Sequence, residues 1–502
     1  MSDNTISRER LEAPPGAVYT ETILEPSYRF MLEHYFQPLV ETNKAWMVML
    51  AETEIVNRET AAALLDAILD LEAEGPDALR EFDPRYEYFY SHMEHFLIER
   101  VGEEIAGEIN IARTRPEPLA RLVVRARLLD LSDELIRFCG TLLDLAEREV
   151  ETVMPQWTHF QHAQVSTLGH YFAGIVDALV RDLDRLRAAY RTTNRSTLGC
   201  GALAGTSYPV DRQLVADLLG FDGFQENTID CVSSADYMLD VAAAVASLMV
   251  TLSRLSQDLW IWHTEEFGFV VIGDEYAGSS SMMPQKKNAY PFEYVRARAA
   301  HAIGDLMAAF GTLRAANFQD LKDVEEEVVT PVFRSLDEVS RSLRLLDGAI
   351  PSLEVRRDVM LEQAASGFAA STELAAAIHR RSGLSSRTAH RIVANLVLRA
   401  YRQGKSQRDV NVALLNESAQ ELLGHDLDID EETVRGALDP ASFVEAHAVP
   451  GGPAPARVRE ALAHARTALG DRALELEGAR DRLARARDEL SANVTQRRER
   501  VA

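Results

Sequence analysis

Residues 237–262, YMLDVAAAVASLMVTLSRLSQDLWIW, carry Val241, Ala242, Ala243, Ala244, Val245, Leu248, Met249, Val250 and Leu252 on more than one side of a helix. A helix that apolar has to be buried, within a bundle or between subunits. Outward from it, residues 119–153 and 160–190 show helical periodicity, the second through Val165, Leu168, Phe172, Ile175, Leu179, Leu183 and Leu186 at spacings of three and four. Further long helices are expected from residue 290 to about 316 and over roughly 325–346, and strand signals are scarce. Long helices joined by loops containing Gly and Pro predict an all-α protein, an elongated central bundle with smaller helical domains at either end. Boundaries near 116 and 364 divide it into 1–116, 117–364 and 365–502. In the tail, Leu462, Leu469, Leu476, Leu483 and Leu490 recur every seven residues, a narrow seam for an oligomer-stabilising or self-packed terminal helix. A DNA-reading zipper would need a basic region upstream, and residues 440–456 are rich in Pro, Gly and Ala instead.

The chain has 502 residues with 53 basic and 78 acidic side chains, a net charge of −25. That field repels nucleic acid and anionic lipid. An anionic ligand has to be drawn in locally, and Arg113, Arg115, Lys286 and Lys287 are the candidates. Three widely spaced cysteines, Cys139, Cys200 and Cys231, argue against a disulfide framework or zinc site. The N-terminus lacks the apolar core of a signal peptide, and a soluble, cytoplasmic chain is expected. His92, His95, His162, His170 and His263 join no recognisable acidic ligand pattern, so neither a metal nor any other cofactor is assigned.

Residues 278–288 read GSSSMMPQKKN, placing a candidate base, an ammonium and a carboxamide within nine residues, Ser280 to Asn288. Such a segment can grip a carboxylate while deprotonating the adjacent carbon. Spacing alone is a weak signal, because Ser, Gly and Lys crowd many turns. The literal string resembles the signature loop of the fumarase/aspartase superfamily, most closely the GSSLMPQKKN of argininosuccinate lyases. Thr158-His159 within MPQWTHFQ resembles that family's PGYTHLQ, and Arg113, Thr114 and Arg115 within ARTRPE resemble its GRSRND. Leu198–Gly205 with Asp211-Arg212, Glu226-Asn227 with Asp230, Val232 and Ser233, and the closing PGGPAP at 450–455 are similar to further family segments.

The resemblance implies three helical domains and a homotetramer whose pooled bundles make a twenty-helix core, with each active site drawn from three subunits. It implies a carbon–nitrogen lyase that eliminates an amine from an N-substituted aspartate to give fumarate. Removing a proton beside a carboxylate creates a doubly charged aci-carboxylate, which needs fixed donors and positive charge in a dry pocket. On the family pattern Ser280 is the general base, supported by Lys286 and nearby backbone N–H groups. His159 serves the leaving nitrogen and Glu293 orients it. Thr158, Ser281, Asn288, Arg113, Thr114 and Arg115 hold carboxylates. The Gly-rich approach predicts a mobile loop, disordered or open without ligand, with Met282 and Met283 packed beneath it.

Three departures fall where ligand is expected. Pro116 replaces the family's Asn, Tyr90 its His, and Lys322 its Gln, with Glu325 in place of a downstream Lys. A lysine beside a guanidinium is electrostatically poor, so Lys322 favours an acidic or neutral amine half, as in aminopolycarboxylates such as ethylenediamine-disuccinate or in a specialised-metabolite amine. Argininosuccinate is the alternative substrate. A catalytically inactive, crystallin-like structural relative is the alternative of another class.

Overall fold

The computed structural model describes residues 13–114 and 118–499, so Arg115 and Pro116 lie outside the described residues. In chain order, α1 (Glu25–Glu52), α2 (Arg58–Glu74) and α3 (Phe89–Val101) precede α4 (Leu119–Arg148). A hairpin follows, β1 (Val153–Thr158) and β2 (Gln161–Thr167), and leads into α5 (Leu168–Thr193). Then come α6 (Thr228–Ser233), α7 (Asp236–His263), the two-residue strands β3 (Gly278–Ser279) and β4 (Lys287–Asn288), α8 (Tyr290–Leu313) and α9 (Val329–Ala349). Short helices fill residues 357–446, and α10 (Pro455–Glu499) ends the described chain.

The apolar stretch 237–262 lies in α7, packed against α5, α8 and α9, with α4 closing the bundle against α5 and α9. Val241, Val245, Leu248, Leu252, Leu255 and Leu259 are fully buried, each worth about 1.5–3 kcal/mol relative to exposure, as an upper figure. By length and composition α7 could cross a bilayer, but these side chains sit in the protein core. A second core gathers Leu374, Ile378, Leu396, Leu415 and Phe443 from the short helices, with Val165 of β2 joining it.

The expected helix over 160–190 begins only at Leu168. Residues 161–167 pair instead with residues 153–158, Val153 opposite Thr167 and Pro155 opposite Val165. Thr167 then stops the strand and caps α5, its hydroxyl accepting from the His170 N–H at 3.1 Å.

The leucine seam closes on its own chain: α10 packs along α4 and α5, and then on α2 and α1. Leu462, Leu469, Leu476 and Leu490 are buried, and Leu483 rests on Gly220, where a Cβ would stand 2.9 Å from its Cδ2. Arg466–Asp144 (2.8 Å), Arg472–Asp184 (2.8 Å) and Arg480–Asp130 (2.7 Å) line the seam, each worth only about 0–1 kcal/mol. The apolar contacts therefore carry the docking. Leu462→Ala is expected to cost about 2–5 kcal/mol in urea unfolding, whereas Arg466→Ala should cost under about 1 kcal/mol.

Candidate active site

The site residues named from sequence fall at the two ends of α7. At its N-terminal end lies a cavity of about 610 Å³ that Tyr90, Thr114, Tyr237 and Lys322 help to line. At its C-terminal end, His263 Nε2 bonds the Lys287 carbonyl at 3.1 Å, anchoring the 278–288 loop. Tyr237 and His263 are separated by 26 residues of one helix, which at 1.5 Å per residue is about 39 Å.

The loop is built from its own hydrogen bonds. Ser280 Oγ accepts backbone N–H groups from Met282 at 3.3 Å and Met283 at 3.0 Å, and the Lys286 N–H donates to the Met283 carbonyl at 3.1 Å. Asn288 donates its amide to the Gly278 carbonyl at 3.1 Å, so in this state its carboxamide serves the loop. Gly278 makes room for the Tyr290 ring: a Cβ there would stand 1.9 Å from it and displace it. Lys287 is paired with Asp274 at 2.7 Å, while Lys286 and Ser281 face outward, Lys286 with no ion pair among the described residues. The expectation that Met282 and Met283 pack beneath the loop is not met, because Met282 is 88% exposed. The loop stands open, and among the described residues nothing covers that thioether.

Thr158 and His159 share this end. Residues His159 and Phe160 form the two-residue turn of the β1–β2 hairpin, both at positive φ (51° and 61°), a conformation hairpins normally give to Asn and Gly. Two non-glycine residues there cost about 1–3 kcal/mol each, strain of the kind that collects at functional sites. An aromatic cluster holds the hairpin in place: the Trp157 ring lies 6.1 Å from Trp262, 5.9 Å from Phe267 and 5.9 Å from Phe269. His159 is thereby presented to solvent on a fixed turn. Glu293, in the first turn of α8, is also exposed, and its carboxylate suits the positive end of the helix dipole. Among the described residues Glu293 and His159 form no hydrogen bond or ion pair with each other.

At the other end, Tyr90 is buried and its hydroxyl donates to Asn110 Oδ1 at 2.8 Å. Its ring lies 5.3 Å from the Arg113 guanidinium, whose Nη1 donates to Asn43 Oδ1 at 2.7 Å. Arg113 Nε and Nη2 are buried without a partner among the described residues. That pair of N–H groups is the edge that grips a carboxylate with two parallel bonds. Lys322 is bound to Glu325 at 2.7 Å and to Glu326, and these carboxylates hold its ammonium above the ordinary lysine range although burial opposes them.

The sequence reading did not single out Tyr35, Arg121 or Ser234. Tyr35 lines the cavity with a buried hydroxyl that has no partner among the described residues. Arg121 donates to Ser234 Oγ at 2.6 Å, to Gln225 Oε1 at 3.0 Å and to the Thr192 carbonyl at 2.9 Å, fixing the cavity wall. A signal existed: Arg121 and Arg125 sit four residues apart on the apolar stripe of α4, where a cation needs a structural reason.

A long-helix bundle with a Ser-, Lys- and Asn-bearing loop at one end and a buried arginine beside a cavity at the other is the build of a fumarase/aspartase-type lyase. Residues 26–304 match the Lyase family and residues 368–445 the argininosuccinate lyase C-terminal family. Argininosuccinate lyase of Methanothermobacter thermautotrophicus is 38% identical over 433 residues, covering 86% of this chain and 92% of that one. That of Methanosarcina barkeri is 35% identical over 504 residues, covering 99% of each. EDDS lyase in complex with formate superposes at a TM-score of 0.87 with 29% identity over 97% of each chain, and an EDDS lyase variant with bound fumarate at 0.86 with 29% identity over 97% of each. The chain belongs to this lyase family, on the argininosuccinate-lyase-like branch of the fumarase/aspartase superfamily, as a fumarate-forming carbon–nitrogen lyase.

Proposed function

We propose that the enzyme expels a cationic amine from an N-substituted aspartate, with argininosuccinate as its substrate and arginine and fumarate as the products. The observation that carries this choice is the state of Lys322. Read alone, that lysine favours an acidic or neutral amine, but its charge is met by Glu325 and Glu326. With Asp320 and Glu325 both on the cavity wall, that side of the cavity carries more acid than base and suits a guanidinium. The buried Tyr35 hydroxyl offers the same half of the ligand a hydrogen bond.

In the proposed mechanism Ser280 takes the proton beside the carboxylate, and Lys286, brought in by loop closure, stabilises the dianion. His159 protonates the departing nitrogen, and Glu293 orients it from another chain. Thr158, Ser281, Asn288, Arg113, Thr114 and Arg115 hold the carboxylates. Since the two halves of this set lie at opposite ends of α7, the site is completed by other copies of the chain in a homotetramer. The outer face of α8 supports that assembly, because Ile303, Met307 and Phe310 recur at spacings of four and three and are each at least 45% exposed.

The test compares fumarate release from argininosuccinate and from ethylenediamine-disuccinate. A preference of about 10²-fold or more in kcat/KM for argininosuccinate is expected. The opposite preference sinks the assignment and restores an aminopolycarboxylate substrate, the reading that likeness to EDDS lyase keeps open.

A further inference from the structure

We infer that Cys231 and Cys200 form a hydroperoxide-reactive dithiol on the wall of the cavity, with Cys231 as the attacking sulfur and Cys200 as the resolving one. Cys231 lies in α6 and lines the cavity, so a small oxidant can reach it. Its Sγ accepts from Arg212 Nη2 at 3.1 Å and faces the Gln225 carbonyl at 3.3 Å, to which the thiol form donates, and the Cys200 side chain, whose thiol donates to the Gly201 carbonyl at 3.5 Å, lies within hydrogen-bonding reach of it. Cys200 is fully buried behind it. Arg212 is not free to swing away, because the same guanidinium also holds the carbonyls of Leu198 at 3.1 Å, Gln225 at 2.8 Å and Glu226 at 3.3 Å.

A guanidinium fixed against one sulfur favours its thiolate. The Cys200 hydrogen bond first, and the Arg212 guanidinium after it, hold Cys231 below the usual thiol range, while burial and Asp230 oppose them. Arg121 adds a second cation within electrostatic reach of Cys231. Cys139 supplies a contrast inside the same chain: buried and near Asp182, it is pushed up to about 12.

The chemistry balances. The Cys231 thiolate attacks one peroxide oxygen, the O–O bond breaks, and the departing oxygen takes a proton to leave as water or an alcohol. The Cys200 thiol then loses its proton and attacks the sulfenic sulfur, expelling a second water as the S–S bond forms. Two thiols are oxidised and one hydroperoxide is reduced. The disulfide would tie the turn that follows Thr197 to the helix that precedes Ser234. Both of those residues line the cavity, so oxidation should reversibly close down turnover. The inference does not depend on which amine the enzyme expels.

The test treats the full-length protein with stoichiometric hydrogen peroxide, alkylates it in denaturant and maps its peptides by mass. The expected product is an intrachain Cys200–Cys231 peptide pair short of two hydrogens, with Cys139 alkylated and dithiothreitol restoring both thiols and activity. In Cys200→Ser, dimedone should trap a sulfenic acid at Cys231. Iodoacetamide should label native Cys231 with a half-maximal pH well below the value of about 8.5 for a free thiol. Cys231 left reduced, a disulfide between chains, or equal oxidation of Cys139 overturns the dithiol. A disulfide formed without loss of activity overturns its coupling to the site. Peptide masses read the thiols whatever the substrate, so failure here is separable from failure of the lyase reading.

Discussion

Lys286→Met and Arg113→Gln proteins, each expected to be almost inactive alone, should recover activity when co-expressed as mixed oligomers. Lys286 belongs to the loop anchored at the C-terminal end of α7, and Arg113 packs beside Tyr90 near the cavity at its N-terminal end. Some 39 Å of helix between those ends keeps one chain from bringing both to one ligand. If each site takes one end from each of two copies, random mixing leaves roughly a quarter of the sites with both residues intact. Tandem affinity tags would isolate mixed oligomers, whose fumarate production should approach that fraction of the wild-type rate. Lys286 is exposed, so its substitution leaves folding intact. Mixed oligomers that form and stay inactive would show that each site draws both residues from a single chain, and the two-ended construction would fail.

Much of the helical fold was legible in the sequence. The run 237–262 is apolar on more than one side because α7 packs against α5, α8 and α9 together, and contact with three neighbours writes itself into composition, while Val250 on the remaining face stays 41% exposed. The 278–288 loop was legible for a different reason, the literal family string, and the structure shows local use for its residues: Gly278 admits the Tyr290 ring, and Ser280 and Asn288 bond the loop to itself. The hairpin was not legible. Val165 and Leu168 happen to continue the three-and-four spacing of α5, and only long-range pairing with residues 153–158 makes a strand of 161–167. The surroundings of Lys322 were hidden for a related reason. Its neutralising partners stand three and four residues on, within the same short string, but they act as partners only if the backbone turns there, as it does over Asp323–Glu327. The contact of Cys200 with Cys231 is wholly tertiary and has no local trace.

Ser280→Ala should lower kcat by about 10²–10⁴-fold, the range expected for loss of a positioned general base, with little change in KM. A serine hydroxyl is a poor base until its alkoxide is stabilised, and the open loop already supplies part of that stabilisation. Two backbone N–H groups, from Met282 and Met283, point at Oγ, and Lys286 on the same loop can add a full positive charge once the loop folds over ligand. Alanine removes the oxygen and leaves the backbone able to keep its shape, so unfolding in urea should shift by less than about 0.5 kcal/mol. The sharper readout is isotopic. Wild-type enzyme incubated with fumarate and arginine in deuterium oxide should incorporate deuterium at the carbon beside the carboxylate, and Ser280→Ala should lose that incorporation in step with kcat. Thr158 and Arg113 remain in the variant, so ligand binding by equilibrium dialysis should persist, which separates a lost proton transfer from a lost site. If kcat falls less than about tenfold, another group takes the proton, and His159 on its strained turn becomes the residue to change next. If the wild type itself releases no fumarate from either substrate, and Ser280→Ala behaves identically, the chain has kept the fold of this lyase family without its reaction, and the exposed loop loses its catalytic reading along with it.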